Sequence, residues 1–97
     1  MALRITTGGL VEKKYLEVNN HGVTFYESSL IGNRRKFPFG AIECVLLSPT
    51  GILSFQSGNE VFWLKANVKN SKHVEVIKAM VSHVQLAYAR AGQQTTG

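Results

Sequence analysis

Ser71-Lys72-His73-Val74-Glu75-Val76-Ile77-Lys78-Ala79-Met80-Val81-Ser82-His83-Val84-Gln85-Leu86-Ala87-Tyr88-Ala89-Arg90-Ala91 is the one stretch with sustained helical periodicity, and it closes a series of short strand-like runs. Val74, Ile77, Val81, Val84 and Tyr88 recur at spacings of three and four, with Met80, Ala87 and Ala91 widening the stripe. Lys72, Glu75, Lys78, Ser82, Gln85 and Arg90 fall on the other side, the pattern of an amphipathic helix with one face on a core. Ser71 or its neighbour Asn70 can cap the start, and Gly92 stands where a left-handed C′ residue is expected, with Arg90 suited to the dipole. A Val-rich helix of this size is marginal alone in water, so it needs a surface to dock on.

That surface has to come from upstream. Leu3–Thr7 is a short candidate strand ended by Gly8-Gly9, and Leu10–Val18 follows, most strand-like at Tyr15-Leu16-Glu17-Val18. Asn19-Asn20-His21-Gly22 is a dense turn signal, and Val23-Thr24-Phe25-Tyr26 makes a hairpin with the preceding strand. Gly32-Asn33 is a second turn before the strand Arg34–Phe39, whose Pro38 cannot donate to a ladder and so marks an edge or an end. Ile42–Leu47 is the most apolar strand, large on both faces at its end, as expected of a central strand or one whose outer face meets something. Ser48-Pro49-Thr50-Gly51 fits a type I turn, Ile52–Gln56 is the next strand, and Glu60–Asn67 alternates Phe62, Leu64 and Ala66 against Val61, Trp63 and Lys65. About seven strands joined by tight turns give an antiparallel meander that closes into a barrel or packs as a sandwich. The terminal helix is its natural plug.

Composition bounds the function. The 97 residues suffice for one core, expected over 1–92 with a polar, disordered tail at 93–97. A hydrophobic content of 44% excludes wholesale disorder. The formal net charge of +5, with no Asp, fits acidic lipid, nucleic acid or an acidic partner, or a surface that only keeps the protein soluble. The single cysteine, Cys44, allows no internal disulfide and sits in an apolar run, as a small buried hydrophobe would. Residues 1–6 lack the apolar core of a signal peptide, and no run approaches the roughly 20 apolar residues of a membrane span. The expectation is a cytoplasmic protein.

The turn Asn20-His21-Gly22, the strand Val23-Thr24-Phe25-Tyr26, the basic strand Arg34-Arg35-Lys36-Phe37-Pro38-Phe39 and the passage Ile42-Glu43-Cys44-Val45 follow one another in a set order. With seven strands and one C-terminal helix, this order resembles the pleckstrin-homology (PH) superfold, and its details resemble the small bacterial PH-like branch, over roughly Leu10 to Ala91. The resemblance implies a mainly β (α+β) protein, a seven-stranded antiparallel barrel or orthogonal sandwich capped by the helix. It also implies a binding or assembly module without catalysis, and relatives of this kind form symmetric oligomers. Two departures stand out. Eukaryotic signalling members usually carry a Trp in the helix, whereas Trp63 lies in the last strand; and the strand at 23–26 lacks the basic residue of their phosphoinositide motif. Phosphoinositide binding is therefore not carried over.

Two surfaces are candidates. If Leu53, Phe55, Phe62 and Leu64 fill the interior, Val61 and Trp63 point outwards with Val45 and Leu47, an apolar interface for protein, self or other. Arg34, Arg35 and Lys36 form the sharpest cationic run, able to meet an anionic membrane at about 1 kcal/mol per cation. Alternation puts Arg34 and Lys36 on one face and Arg35 opposite, so the run equally fits a solvated edge strand whose charges deter aggregation. Lys13-Lys14 joins it only if the fold brings the first hairpin alongside. Single-stranded nucleic acid is a further alternative, with Tyr15, Tyr26 and Trp63 for stacking, but the strand count and terminal helix argue against an OB barrel.

No catalytic, cofactor or metal set is readable. His73 and His83 lie ten apart on the helix, not the i, i+4 pair that faces one ion, and His21 is in a turn. Cys44 has no evident base, and no Gly-rich phosphate loop occurs.

Overall fold

Alternation of apolar and polar residues sorts the strands onto two inner faces that share one core. The computed structural model describes residues 2–8, 13–28 and 34–95. Four strands, β1 (Leu3–Gly8), β2 (Lys13–Val18), β3 (Gly22–Glu27) and β4 (Arg34–Pro38), form one antiparallel sheet in chain order. A second antiparallel sheet follows, of β5 (Cys44–Leu47), β6 (Ile52–Ser57) and β7 (Glu60–Lys65), and the chain ends in α1 (Ser71–Thr95). The expected Gly32-Asn33 turn, Gly9 and residues 10–12 lie outside the described residues.

The seven strands thus do not share one sheet, and they close no barrel. The division falls between β4 and β5. Pro38 has no N–H to offer a ladder, and Phe39–Ala41 winds into a single 3-10 turn, so the chain turns away before β5 begins. β4 is an edge strand, as Pro38 requires. β5, despite its apolar sequence, is an edge strand as well and not a central one.

Four phenylalanines join the sheets. Phe25 and Phe37 from the first meet Phe55 and Phe62 from the second, with ring centroids 5.1 to 5.8 Å apart across the interface. Each aromatic so buried contributes roughly 1.5–3 kcal/mol. Ile5, Leu16, Val18, Val23, Leu53 and Leu64 complete the strand contribution, and Ile42 adds to the core from the connection before β5.

The helix lies on β1, β2 and the 3-10 turn. Asn70 caps it, its Oδ1 accepting from the N–H groups of Lys72 (2.9 Å) and His73 (3.4 Å). Its buried seam is Val76, Ile77, Met80 and Val84, centred on Met80, with Val74 and Val81 half-buried. The stripe expected through Val74 and Val81 is therefore rotated toward Val76. Tyr88, expected at its end, keeps a half-exposed ring, while its hydroxyl donates to the Ile42 carbonyl at 2.9 Å. Gly92 does not end the helix, which runs on to Thr95; the last two residues, 96–97, lie outside the described residues.

Two glycines hold tight approaches. A Cβ at Gly22 would stand 2.1 Å from the Phe37 carbonyl oxygen, so β3 and β4 pair closely only because no side chain is there. Asn19 shapes the same turn, its Oδ1 accepting from His21 N–H (2.8 Å) and Gly22 N–H (3.0 Å). Gly51 adopts φ +95°, the left-handed residue that closes the Ser48–Gly51 turn.

Candidate interaction surfaces

The outer face of the three-stranded sheet is built by register. Leu64 opposes Leu53, and Phe62 opposes Phe55, so these four face the core and Val61, Trp63 and Lys65 face away. Val45 opposes Phe55 and Leu47 opposes Leu53, which turns both toward the inner side. Val45 packs against the core, and Leu47 stays exposed only because it sits at the rim of an edge strand. The outward apolar residue of β5 is Leu46, which the sequence reading passed over. The registers were legible from the turn lengths; both phases of β5 are apolar, so composition alone left the phase open.

Leu46 and Val61 are each 63% exposed and Trp63 50%. Between Cys44, Leu46, Ser54, Gln56 and Val61 lies a shallow depression of about 60 Å³. By alternation Lys65 is the one charged residue on this face among the described residues. Trp63 is held in place from outside its own sheet. Lys14 of β2 places its Nζ 3.4 Å from the indole centroid, donates to the Trp63 carbonyl (3.2 Å) and pairs with Glu27 (3.6 Å). Lys14 therefore belongs to this surface and not to the Arg34 run.

The outer face of the four-stranded sheet has the opposite character. Two rows cross it: Thr6, Tyr15, Tyr26 and Arg34 in one, Arg4, Glu17, Thr24 and Lys36 in the next. Tyr15 stacks on Tyr26 with centroids 5.0 Å apart, and the Arg4 guanidinium lies 4.1 Å above Tyr15 while bonding Glu17 at 2.8 Å. Thr24, the shortest side chain of its row, is 6% exposed at the floor. Around it Arg4, Tyr15, Glu17, Asn19, His21, Arg34 and Lys36 enclose a concavity of about 300 Å³. Arg34 and Lys36 converge there, with no ion-pair partner among the described residues. Sequence reading missed Arg4 and Thr24, since only the pairing across four strands brings them together.

Arg35 is separated from its neighbours and engaged elsewhere. It points to the inner side, makes a bidentate pair with Glu60 (2.8 and 3.1 Å) and spreads near the rings of Phe37 and Phe62. The hydrogen bond from Arg35, more than its charge, holds the Glu60 carboxyl below the ordinary carboxylate value, and the same bond raises the guanidinium. Arg35 straps β4 to the start of β7 and stands apart from Arg34 and Lys36.

No family model, curated protein or solved structure matches this chain. Function is read from geometry alone.

Other groups are committed to the fold. His73 Nδ1 accepts from Asn67 N–H at 2.9 Å, and the His83 ring stacks on Phe39 at 4.6 Å. Among the described residues no three His, Cys, Asp or Glu side chains converge on one point. No described helix is long and apolar enough to cross a membrane.

Proposed function

We propose that the chain is a non-catalytic, PH-like interaction module of the cytoplasm that associates with further copies of itself by stacking the outer face of β5–β6–β7. The order of four strands, three strands and a C-terminal helix supports the PH-like reading. One observation carries the self-association: Leu46, Val61 and Trp63 stand exposed on one sheet face whose own strands contribute a single charged side chain, Lys65, while Lys14 of β2 is held against the Trp63 ring and paired with Glu27. Charge depletion with an exposed aromatic is the composition of an interface core. Light scattering across a concentration series tests it. The mass exceeds that of one chain, and Trp63→Asp lowers it; a monomer at high concentration overturns the reading.

A second reading has its own observation, the convergence of Arg34 and Lys36, without an ion-pair partner among the described residues, on one face beside Arg4 and His21. That face is suited to an anionic membrane surface, at about 1 kcal/mol per cation. Sedimentation with acidic vesicles then falls with salt and with Arg34→Glu plus Lys36→Glu. Equal binding to neutral vesicles sinks it.

A further inference from the structure

The borders of the two sheets are not alike. β1 carries Arg4 and lies against α1, and β4 carries Arg34, Lys36 and Pro38. β7 is bridged by Lys14, reaching over from β2. β5 reads Cys44-Val45-Leu46-Leu47, with neither charge nor proline, and no described side chain bonds across it. Among the described residues, the devices that keep edges from pairing are present on three borders and missing from one.

Register shows what β5 offers. Ser48 N–H donates to the Ile52 carbonyl at 2.9 Å, so Ser48 and Ile52 form a hydrogen-bonded pair. Bonded and non-bonded pairs alternate along an antiparallel ladder, so Leu46/Ser54 and Cys44/Gln56 are bonded pairs too. Val45 and Leu47 therefore turn their N–H and C=O groups away from β6, toward the open edge.

We infer that this edge pairs with β5 of a second copy, antiparallel about a two-fold axis through Leu46. The inference rests on the self-association proposed above and adds a second interface to it. In this register Val45 faces Leu47 of the second copy and Leu47 faces its Val45, so every outward N–H meets an outward C=O. Leu46 faces its own counterpart as a non-bonded pair, with Cα atoms about 4.5 Å apart. The strand is self-complementary because it is short, uncharged and centred on its most exposed leucine. The axis stands perpendicular to the sheet, so both outer faces end on one side of a continuous six-stranded sheet. Its two Leu46 side chains join both Val61 and Trp63 patches into a single apolar surface. Stacking two such surfaces uses an axis parallel to the sheet and midway between the two layers, and perpendicular two-folds that intersect close as a tetramer.

The edge is tested by cross-linking. Leu46→Cys in a Cys44→Ser background places two thiols within the Cα range that a disulfide needs, about 4.4–6.8 Å. Mild oxidation should give a covalent dimer at least about tenfold faster than Val61→Cys in the same background, whose thiol is equally exposed but off the axis. Leu47→Pro removes an outward N–H and no internal ladder bond, so it should halve the assembled mass while the circular dichroism is kept. An assembly that Trp63→Asp disperses but in which Leu46→Cys links no faster than Val61→Cys overturns the edge pairing and leaves the stacking face standing. A dimer that cross-links through Leu46→Cys and ignores Trp63→Asp supports the edge and overturns the stacking face. A monomer at all concentrations overturns both.

Discussion

Replacing Trp63 by alanine should weaken self-association by roughly two orders of magnitude and leave the fold intact. Trp63 is the only tryptophan of the chain, half-exposed, with one ring face occupied by Lys14. Of the roughly 250 Å² that a tryptophan can bury, about 125 Å² therefore remains for a partner. At about 25 cal/mol per Å² that area is worth at most ~3 kcal/mol, and about half of it when packing is incomplete. A two-fold contact contains the substitution twice, so the loss per contact is about 3 kcal/mol, or a factor of roughly 150 in Kd. The residue also reports on itself. On dilution of the native protein its emission should shift to the red as the indole is uncovered, with a midpoint equal to the light-scattering Kd. Trp63→Ala should move the scattering midpoint and leave the helical and strand circular dichroism unchanged. A concentration-independent emission, or the same mass curve for both proteins, would refute the reasoning.

Three further outcomes follow from the fold. Gly22→Ala drives a methyl into the Phe37 carbonyl, so β3 and β4 must part; we expect a loss of about 2–4 kcal/mol in urea unfolding, with Gly40→Ala, where the space is open, as the mild control. Val76→Ala should cost about 1–3 kcal/mol and Val74→Ala clearly less, because the buried seam runs through Val76; equal losses would contradict the observed helix phase. Glu60, held below the ordinary carboxylate value of 4.5 by Arg35, contributes stability that is full above that value and is lost as pH falls through its own lower pKa. The gap between the native protein and Glu60→Gln should thus be level from about pH 5 to 8 and close in acid, and a gap that widens in acid would contradict the pairing. Arg35, shifted upward, stays charged throughout that range.

Local chemistry made most of the elements legible. Alternation at Val61–Lys65 gives the inner and outer sides of β7, and the turn at Asn19–Gly22 announces the β2–β3 hairpin. What composition could not give was the relation between elements. A helix with valines at 74, 76, 81 and 84 has two overlapping apolar stripes, and only the surface beneath it chooses the one through Val76 and Met80. Seven strands in a meander equally suit one sheet or two. The choice rests on whether β5 returns beside β4, and Pro38 with the Phe39–Ala41 turn prevents it. The basic run hid its division of labour for a related reason. Alternation separates Arg35 from Arg34 and Lys36, but that Glu60 waits on the inner side is a tertiary fact.

The β5 phase is the instructive case, because the information was present in loop length. A three-residue connection, Pro49-Thr50-Gly51, with its last residue left-handed fixes Ser48 opposite Ile52. Counting back, Leu47 meets Leu53, Val45 meets Phe55, and Leu46 meets the polar Ser54 on the outside. A leucine placed opposite a serine on a solvent face is a cost unless something covers it. Its neighbours along the edge carry no charge to keep another strand away, and the outward backbone groups at Val45 and Leu47 bracket it symmetrically. Chain closure thus makes Leu46 both one of the two most exposed apolar residues of the face and the centre of the open edge, so the two proposed contacts, stacking and edge pairing, would meet at one side chain. Leu46→Lys should therefore disrupt both at once, placing like charges across each axis, whereas Trp63→Asp and Leu47→Pro each remove one. A Leu46→Lys protein that still assembles would show that neither contact passes through this residue.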